Sequence, residues 1–501
     1  MNPDRLRRRD FLGVMGVATA AAMRCGRAGA SSKRPPNLLF VFADQLGRNH
    51  CGYAGAQQAR TPCLDRLAAQ GADFFNAVST MPVCAAFRAS LMTGKYPTST
   101  GMVINELRMN PCHECFGHVL TRGGYETGYI GKWHLYANQL GHHHDPKNSF
   151  VPPGPNRLGF DGYWAAYNFH HEYYRAYYHT DSEEKLSYGD GVYEPDGQTE
   201  LALDFIRRSA PSEKPFALFL SYGTPHDPWS ATNVPAAYRA MFRDAAIPNP
   251  PNYQDKNDPY ADQWGRLSPG QRRQLEAWRR NYYAMTANLD WNIGRLLGAL
   301  DEAGLTEETL VVFTSDHGEM FGAQGRRAKN IFYEEAARVP FLMRWPGVIP
   351  EGAASDACLS TVDILPTVLS LLGLPVPQAA EGMDLSACAR GVQGPEPEAA
   401  LLQNTGACAA WEDGHEWRAL RDKRFTYAIY RVDRSEHLYD NQKDPYQMTN
   451  LAGDPAHTGR LEGCRTLLAE RLAALNDGFA ASTWYRDHWI ADRIILRGAK
   501  G

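Results

Sequence analysis

Residues 37–45 read NLLFVFADQ, an apolar run that ends abruptly in a carboxylate and an amide. A continuous apolar segment of this length is typical of a strand that is buried on both faces of a parallel sheet. Three further runs have the same form, and polar groups follow each of them: residues 125–130, 216–220 and 310–313. Helical patterns separate the runs, most clearly at residues 275–300, where apolar residues recur at three- and four-residue steps.

Alternating strands and helices predict an α/β fold with a large, mostly parallel sheet covered by helices on both faces. Ligands bind at the carboxyl ends of parallel strands, so we expect the polar groups after the four runs to face one crevice. Those groups are Asp44, Gln45, Lys132, His134, His226, Asp316 and His317. A single Asp after a strand is more often a helix cap than a ligand, but four such strand ends favour a site.

The second half of the chain predicts a change of domain. Residues 381–397 are rich in Gly, Pro and Ala, and alternating stretches at 417–420 and 424–429 follow them. We therefore expect a catalytic domain over residues 31–385 and a small C-terminal α+β subdomain with an antiparallel sheet over residues 386–501.

Composition excludes several classes of protein. The 501 residues carry a formal net charge of −4 at pH 7, and 44% of them are hydrophobic. This composition is typical of a globular protein. A negative net charge does not provide the basic surface that nucleic-acid binding usually requires, so we expect no nucleic-acid partner. After the first thirty residues, no segment is apolar over the roughly 20 positions that a membrane helix needs, so we expect no membrane span.

The N-terminus has the features of an export signal. Arg7-Arg8-Arg9 precedes an apolar stretch at residues 11–23, and Ala28-Gly29-Ala30 has the form of a signal peptidase site. Residues 1–30 resemble a twin-arginine signal, which implies the twin-arginine translocase as a partner and a periplasmic or secreted location in a bacterium. The alternative is an ordinary basic tail.

Residues 82–94 read PVCAAFRASLMTG and closely resemble the signature of the sulfatases, in which Cys-x-Pro-x-Arg leads into a helix and Thr-Gly. Ala86 replaces the Pro of that signature. Further motifs of this family follow in its order: Asp44-Gln45, Gly131-Lys132-Trp133-His134, Pro225-His226, Ser315-Asp316-His317-Gly318, Lys329 and Leu438-Tyr439-Asp440. The chain is thus similar, over nearly its whole mature length, to the formylglycine-dependent sulfuric ester hydrolases of the alkaline phosphatase superfamily.

The resemblance implies that Cys84 is converted to formylglycine (3-oxoalanine) by a formylglycine-generating maturase. The hydrated aldehyde can attack sulfur with one oxygen and keep a second hydroxyl that later expels sulfate from the covalent sulfated enzyme. It also implies a divalent cation held by Asp44, Gln45, Cys84, Asp316 and His317. Oxygen donors dominate this set, so we expect calcium, with magnesium as second choice.

The remaining roles also follow from the resemblance. Lys132 and Lys329 match positions that bind sulfate, and Arg88 matches the one that steadies the formylglycine. His226 matches the acid that protonates the departing alcohol, and His134 matches the base that collapses the sulfated intermediate. Taken singly, such Lys and His residues are more often structural.

Aromatic residues crowd the segment between Gly162 and His179. Such density suits stacking on sugar rings, so we expect a small-molecule or oligosaccharide sulfate ester, with Trp164 among its contacts. Equally, these residues can pack an insertion against the sheet. Two other functions stay open: a phosphonate monoester or phosphodiester hydrolase of the same superfamily, and a silent protein that binds sulfated glycans through an unmodified Cys84.

Overall fold

The computed structural model describes residues 34–136 and 142–500, so the predicted export signal lies outside the described residues. Its strands, in chain order, are β1 (Asn37–Asp44), β2 (Ala72–Phe74), β3 (Glu126–Lys132), β4 (Tyr163–Tyr167), β5 (Tyr177–Tyr178), β6 (Leu186–Ser187), β7 (Phe216–Pro225), β8 (Thr309–Ser315), β9 (Phe341–Arg344), β10 (Ala353–Ser355), β11 (Ala400–Asn404), β12 (Trp417–Arg421), β13 (Phe425–Tyr430), β14 (Glu436–Asp440), β15 (Ile490–Ala491) and β16 (Ile494–Ile495). Its α-helices are α1 (Pro62–Ala69), α2 (Cys84–Thr93), α3 (Pro97–Thr100), α4 (Phe116–Arg122), α5 (Pro146–Ser149), α6 (Glu194–Ser209), α7 (Ala236–Met241), α8 (Pro269–Glu302), α9 (Glu334–Ala337), α10 (Thr361–Leu371), α11 (Ser386–Ala389), α12 (Thr458–Ala474) and α13 (Ser482–Trp489).

The main sheet has eight strands in the order β10-β2-β9-β8-β1-β7-β3-β4. β1 pairs in parallel with β7 and β8, β3 pairs in parallel with β7 and β4, and only β9 runs against its neighbours. The four apolar runs of the sequence therefore form adjacent strands, and their carboxyl ends lie side by side. The predicted fold class is confirmed.

Both faces of this sheet are covered. Along β1, Leu38 and Phe40 point into a core shared with residues of α2, α4 and α10, whereas Leu39 and Val41 point into a core shared with α6 and α8. Because every β1 side chain is buried, this strand reads as a continuous apolar run. Burying each large side chain of this kind stabilises the fold by about 1.5–3 kcal/mol.

The C-terminal part of the chain forms a four-stranded antiparallel sheet in the order β11-β12-β13-β14, as the alternating pattern predicted. Leu461 and Leu468 of α12 pack against one face of the sheet. Trp417 and Tyr430 cover the other face together with Phe332, which lies close in sequence to Lys329. Residues from Pro35 onward form one compact unit, and the domain boundary near residue 385 stays a prediction. None of the helices in the described ranges is long and apolar enough to cross a bilayer.

Candidate active site

Cys84 is the first residue of α2 and is buried at the carboxyl edge of the main sheet. Its Sγ lies 3.8 Å from Oδ1 of Asp44, at the end of β1, and 3.2 Å from Nε2 of His317, just after β8. Burial and the neighbouring Asp44 raise the pKa of the Cys84 thiol to about 11, so an unmodified thiol is protonated at neutral pH. The helix N-terminus favours negative charge on an atom placed here.

Asp44 and Asp316 are fully buried carboxyl groups of the same site. Burial works to raise the pKa of Asp44, but Lys132 and other nearby cations outweigh it and hold that pKa well below its ordinary value. Burial and the charge of Asp44 raise the pKa of Asp316. Two buried carboxyl groups, one with a lowered pKa and one whose pKa is raised by the charge of the other, are a favourable environment for a divalent cation.

The donor set fits such a cation. One ligand atom from each of Asp44, Cys84, Asp316 and His317 lies within 4.8 Å of all the others. Oδ2 of Asp316 is buried, has no hydrogen-bond partner among the described residues and lies 3.9 Å from Nη2 of Arg88, so a cation would supply this oxygen with a close partner. Gln45 helps to position this donor set, because its backbone N–H donates to Oδ1 of Asp316 at 2.8 Å.

The two lysines that the resemblance assigns to sulfate binding are already held in place. Lys132, the last residue of β3, donates from Nζ to Oδ2 of Asp44 at 2.6 Å. Lys329 donates from Nζ to Oε1 of Gln45 at 2.9 Å. Arg88 of α2 donates to the backbone oxygen of Lys132 at 2.6 Å and lies 3.5 Å from Asp44. These contacts bring three fixed cations to the carboxylate pair.

His226 follows β7, and its Nε2 lies 2.6 Å from Nζ of Lys329. Burial works against the lysine charge, but Cys84 and Asp44 outweigh it and raise the pKa of Lys329, which therefore donates. Burial and the Lys329 charge lower the pKa of His226 to about 4. Neutral His226 thus accepts at Nε2, and its Nδ1 donates to the backbone oxygen of Asp227 at 2.9 Å.

His134 lies beyond the end of β3 and contacts Glu106, a residue that no motif in the sequence singles out. Nε2 of His134 and Oε1 of Glu106 are 3.3 Å apart, whereas Nδ1 of His134 is buried and has no partner among the described residues. Burial, together with Lys132 and Arg88, lowers the pKa of His134 well below its ordinary value. A neutral imidazole with one unpartnered nitrogen can take up a proton.

Three residues of the site have left-handed backbone conformations that side chains rarely adopt: Gln45 at φ 68°, Glu106 at φ 67° and His134 at φ 55°. Such conformations cost on the order of 1–3 kcal/mol each. The surrounding packing must hold these residues in place, as is common where side chains are aimed at a reacting group.

The site opens into a cavity of about 410 Å³. Its lining includes Cys84, His226 and Lys329, and also Phe169 and His171 from the aromatic segment of the sequence. It further includes three residues from loops that contain no motif: Glu106, Trp264 and Arg327. His171 stacks on His226 with ring centroids 3.9 Å apart.

Trp164 does not reach this cavity, so the expectation that it contacts substrate is corrected. Its side chain is 3% exposed and lies in the core against Tyr129 and Trp133, at centroid distances of 5.4 Å and 5.1 Å. On a strand buried on both faces, an aromatic residue packs against the covering layer instead of facing solvent.

Comparison with known proteins gives a consistent result. The family model described as Sulfatase matches residues 36–374, and the one described as N-sulphoglucosamine sulphohydrolase, C-terminal, matches residues 322–476. An ulvan-active sulfatase from Formosa agariphila is 36% identical over 456 residues, which cover 90% of this chain and 83% of that protein.

Solved structures share the whole architecture. The putative sulfatase yidJ of Bacteroides fragilis superposes with a TM-score of 0.77 at 28% identity, covering 92% of this chain and 99% of that one. A structure in complex with its substrate, D-glucosamine-2-N,6-O-disulfate, gives a TM-score of 0.74 at 22% identity, covering 91% of this chain and 99% of that one. At that identity the second likeness concerns the fold alone.

Proposed function

Because the chain belongs to the sulfatase family and is a sulfuric ester hydrolase, we propose that it cleaves sulfate esters through a formylglycine formed from Cys84. One observation carries the proposal: Cys84 begins a helix and lies within 3.8 Å of Asp44 and 3.2 Å of His317. A nucleophile formed there has anion-stabilising backbone groups, a cation site and two lysines around it.

The proposed reaction has two steps. One hydroxyl of the hydrated aldehyde at position 84 gives up its proton to water, and its oxygen forms a bond to sulfur while the bond between sulfur and the alcohol oxygen breaks. Lys132 and Lys329 hold the sulfate oxygens, and His226 gives its proton to the departing alcohol. His134 then takes the proton of the second hydroxyl at position 84. The bond from that carbon to the sulfate-bearing oxygen breaks, which releases sulfate and restores the aldehyde.

The contact between Lys329 and His226 suggests how the acid acquires its proton. With Lys329 beside it, His226 is neutral, because burial and the lysine charge lower its pKa to about 4. A bound sulfate attracts the Lys329 ammonium and adds a negative charge near His226. Both changes raise the pKa of His226, so the substrate itself prepares the acid.

We further propose calcium, with magnesium as second choice, held by Asp44, Gln45, residue 84, Asp316 and His317. Carboxylate and amide oxygens are the ligands that these hard cations prefer. The cation would lower the pKa of the attacking hydroxyl and fix its position. We assign to Arg88 the role of stabilising the oxygens of the hydrated aldehyde at position 84. Its guanidinium is held in the site by hydrogen bonds to Asp44 and to the backbone at the end of β3.

The proposed substrate is a sulfated carbohydrate. Its support is the size of the cavity, the aromatic and hydrogen-bonding groups in its lining, and a relative from Bacteroides thetaiotaomicron named N-acetylglucosamine-6-O-sulfatase. The proposed location is periplasmic or secreted through the twin-arginine translocase. Replacing Arg8 and Arg9 by lysine in a bacterial host should leave the protein inside the cell.

The central test is the chemical state of position 84. Protein made with a formylglycine-generating maturase should yield a residue-84 peptide with the mass of the aldehyde and should hydrolyse aryl and sugar sulfates. Cys84→Ala should lose at least about a thousandfold in kcat, whereas Cys358→Ala, which removes another buried thiol, should retain activity. Active protein that contains only the intact thiol would contradict the proposal.

A further inference from the structure

One wall of the active-site cavity has no part in the chemistry proposed above. It includes Trp264 and Arg327, which come from loops far apart in the sequence, and also Cys408 and Ala409. Arg327 is partly exposed, and its guanidinium carbon lies 6.0 Å from the ring centroid of Trp278, but no hydrogen bond or ion pair of its guanidinium is present in the described ranges. The preceding residue differs sharply, since Arg326 is buried and pairs with Asp258 at 2.9 Å. An arginine that lines a cavity without a carboxylate partner can bind an anion that a ligand brings.

The wall is rigid because a buried carboxylate ties its segments together. Asp262 is 2% exposed and accepts hydrogen bonds from the backbone of Gly265 at 2.8 Å and of Cys408 at 2.7 Å. Nδ2 of Asn330 donates to the same carboxylate at 3.4 Å. The backbone N–H of Arg327 donates to the oxygen of Gly265 at 2.8 Å, so Arg327 is fixed beside the residue that follows Trp264. A wall held in this way binds a ligand with little loss of conformational entropy.

Trp264 supplies the second element of recognition. It is only partly buried, packs against the main core and lines the cavity. An indole can stack on the apolar face of a pyranose ring, and a guanidinium can pair with a carboxylate or sulfate through two parallel hydrogen bonds. The two groups together match a sugar that carries a negative charge.

We propose that Trp264 and Arg327 form a subsite for a sugar that adjoins the sulfated sugar and bears its own anionic group, either a carboxylate or a second sulfate. The inference rests on the proposed function and specifies its substrate class as an acidic sulfated saccharide. In the proposed function, Lys132 and Lys329 bind the sulfate that reacts, and they are held by Asp44 and Gln45, respectively. Arg327, which also lines the cavity, is the cation that is left to bind a second anion.

The test compares three sulfated disaccharides that differ only in the neighbouring sugar: neutral, carboxylated or sulfated. Aldehyde-containing wild-type protein should turn over the two acidic substrates with higher kcat/KM than the neutral one, mainly through lower KM. Arg327→Gln should lower kcat/KM for the preferred acidic substrate roughly tenfold or more, and for the neutral one much less. Arg327→Lys should recover part of the loss. The matched control is Arg266→Gln, because Arg266 is an exposed arginine of the loop that contains Trp264 and does not line the cavity.

The outcomes separate the subsite from the underlying activity. A carboxylate preference and a sulfate preference both support the subsite and identify its anion. If wild-type protein hydrolyses aryl sulfate and all three disaccharides equally well, the subsite is refuted and the sulfatase activity stands. Equal losses for all three substrates in Arg327→Gln also refute it. Absence of turnover of any sulfate ester by aldehyde-containing protein contradicts the proposed function and the subsite together.

Discussion

Glu106 is the residue of the site whose role is least evident from the sequence and clearest from its contacts. Its carboxyl group contacts His134 and its second oxygen, Oε2, is buried without a partner. Burial raises the pKa of Glu106 to about 7, although Lys132 and Arg493 oppose that rise. When Glu106 is ionised, its carboxylate accepts a hydrogen bond from the Nε2–H of His134. The Nδ1 of His134 is then the basic nitrogen. Glu106 is therefore a positioning residue for the proposed base.

We predict that Glu106→Gln lowers kcat by about tenfold to a hundredfold with little change in KM, because the base is less well oriented. A carboxyl with a raised pKa is protonated below that pKa, so wild-type kcat should rise as pH increases through about 7. The variant should lose this rise. The measurement is the pH dependence of kcat between about pH 5 and about pH 9, a range that includes the expected rise.

Glu172→Gln provides the control for this prediction, since Glu172 also lines the cavity but has a 41% exposed side chain and pairs with Arg175 at 3.3 Å. It should keep the wild-type pH profile. A Glu106→Gln profile with the same limb as wild type would show that Glu106 does not act through His134.

At the level of single elements, Trp164 of β4 has a structural role that can be measured. Its ring stacks on Tyr129, and the guanidinium of Arg157 lies 4.6 Å from the ring centroid. We predict that Trp164→Ala lowers the free energy of unfolding by about 3–5 kcal/mol, as expected when a buried aromatic side chain leaves a cavity. Thermal unfolding measures this loss, and Trp164→Phe should cost distinctly less.

The same variant separates a packing role from a substrate contact. The ratio of sugar-sulfate to aryl-sulfate turnover should be the same in Trp164→Ala as in wild type, because the indole lies outside the cavity lining. An unchanged unfolding temperature combined with a selective loss of sugar-sulfate turnover would contradict the core position of Trp164.

The C-terminal hairpin formed by β15 and β16 reaches back to the active site. Nη1 of Arg493 donates to the backbone oxygen of Glu106 at 3.0 Å. Two backbone hydrogen bonds join the hairpin to Arg108, which follows Glu106 closely in the chain. The Arg108 N–H donates to the Arg493 oxygen at 2.7 Å, and the Ile495 N–H donates to the Arg108 oxygen at 3.0 Å. The hairpin thus holds the segment in which Glu106 adopts its left-handed conformation.

We predict that Arg493→Ala lowers kcat by between about twofold and tenfold, the effect of one lost hydrogen bond that positions Glu106. Arg497→Ala removes another arginine of the same tail, one that donates to the backbone oxygen of His488 and not to the site. It should have near wild-type kcat. Steady-state kinetics on an aryl sulfate decide between the two, and equal effects of both substitutions would argue against the hairpin as a support of the site.

For the molecule as a whole, the sequence predicted what is encoded locally and missed what depends on the packing of distant loops. Each apolar run contains its own strand signal and the polar residues at its end, so β1, β3, β7 and β8 could be recognised one by one. The sheet order then brings their ends together. Glu106, Trp264 and Arg327 lie in loops without periodicity, and only tertiary contacts such as those of Asp262 bring them to the cavity.

The error over Trp164 has a related cause. A dense aromatic segment shows that many rings must be accommodated, but its composition does not tell which of them face a cavity. In this segment Phe169 and His171 line the cavity, whereas Trp164 and Tyr167 lie in the strand β4 and are buried. The alternation along a strand cannot distinguish the two fates when both faces are covered.

The carboxylate pair also links the cation site to the stability of the whole protein. Without a cation, burial and Asp44 raise the pKa of Asp316 above its ordinary value of 3.8. An acid whose pKa is raised on folding is ionised at a cost, so the metal-free protein should lose stability as pH rises from about 4 towards neutrality. A bound divalent cation offsets that cost by pairing with both carboxylates.

We therefore predict that chelation lowers the unfolding temperature and abolishes activity, and that the decrease is larger near pH 8 than near pH 5. Calcium should restore both properties more effectively than magnesium, and at about a hundredfold excess over Kd it should stabilise the fold by about 2.7 kcal/mol. Asp316→Asn removes the disfavoured charge, so this variant should unfold at a higher temperature than wild type when both are metal-free near pH 8. It should also respond little to calcium. A chelator effect of equal size in Asp316→Asn and wild type would show that the cation binds elsewhere.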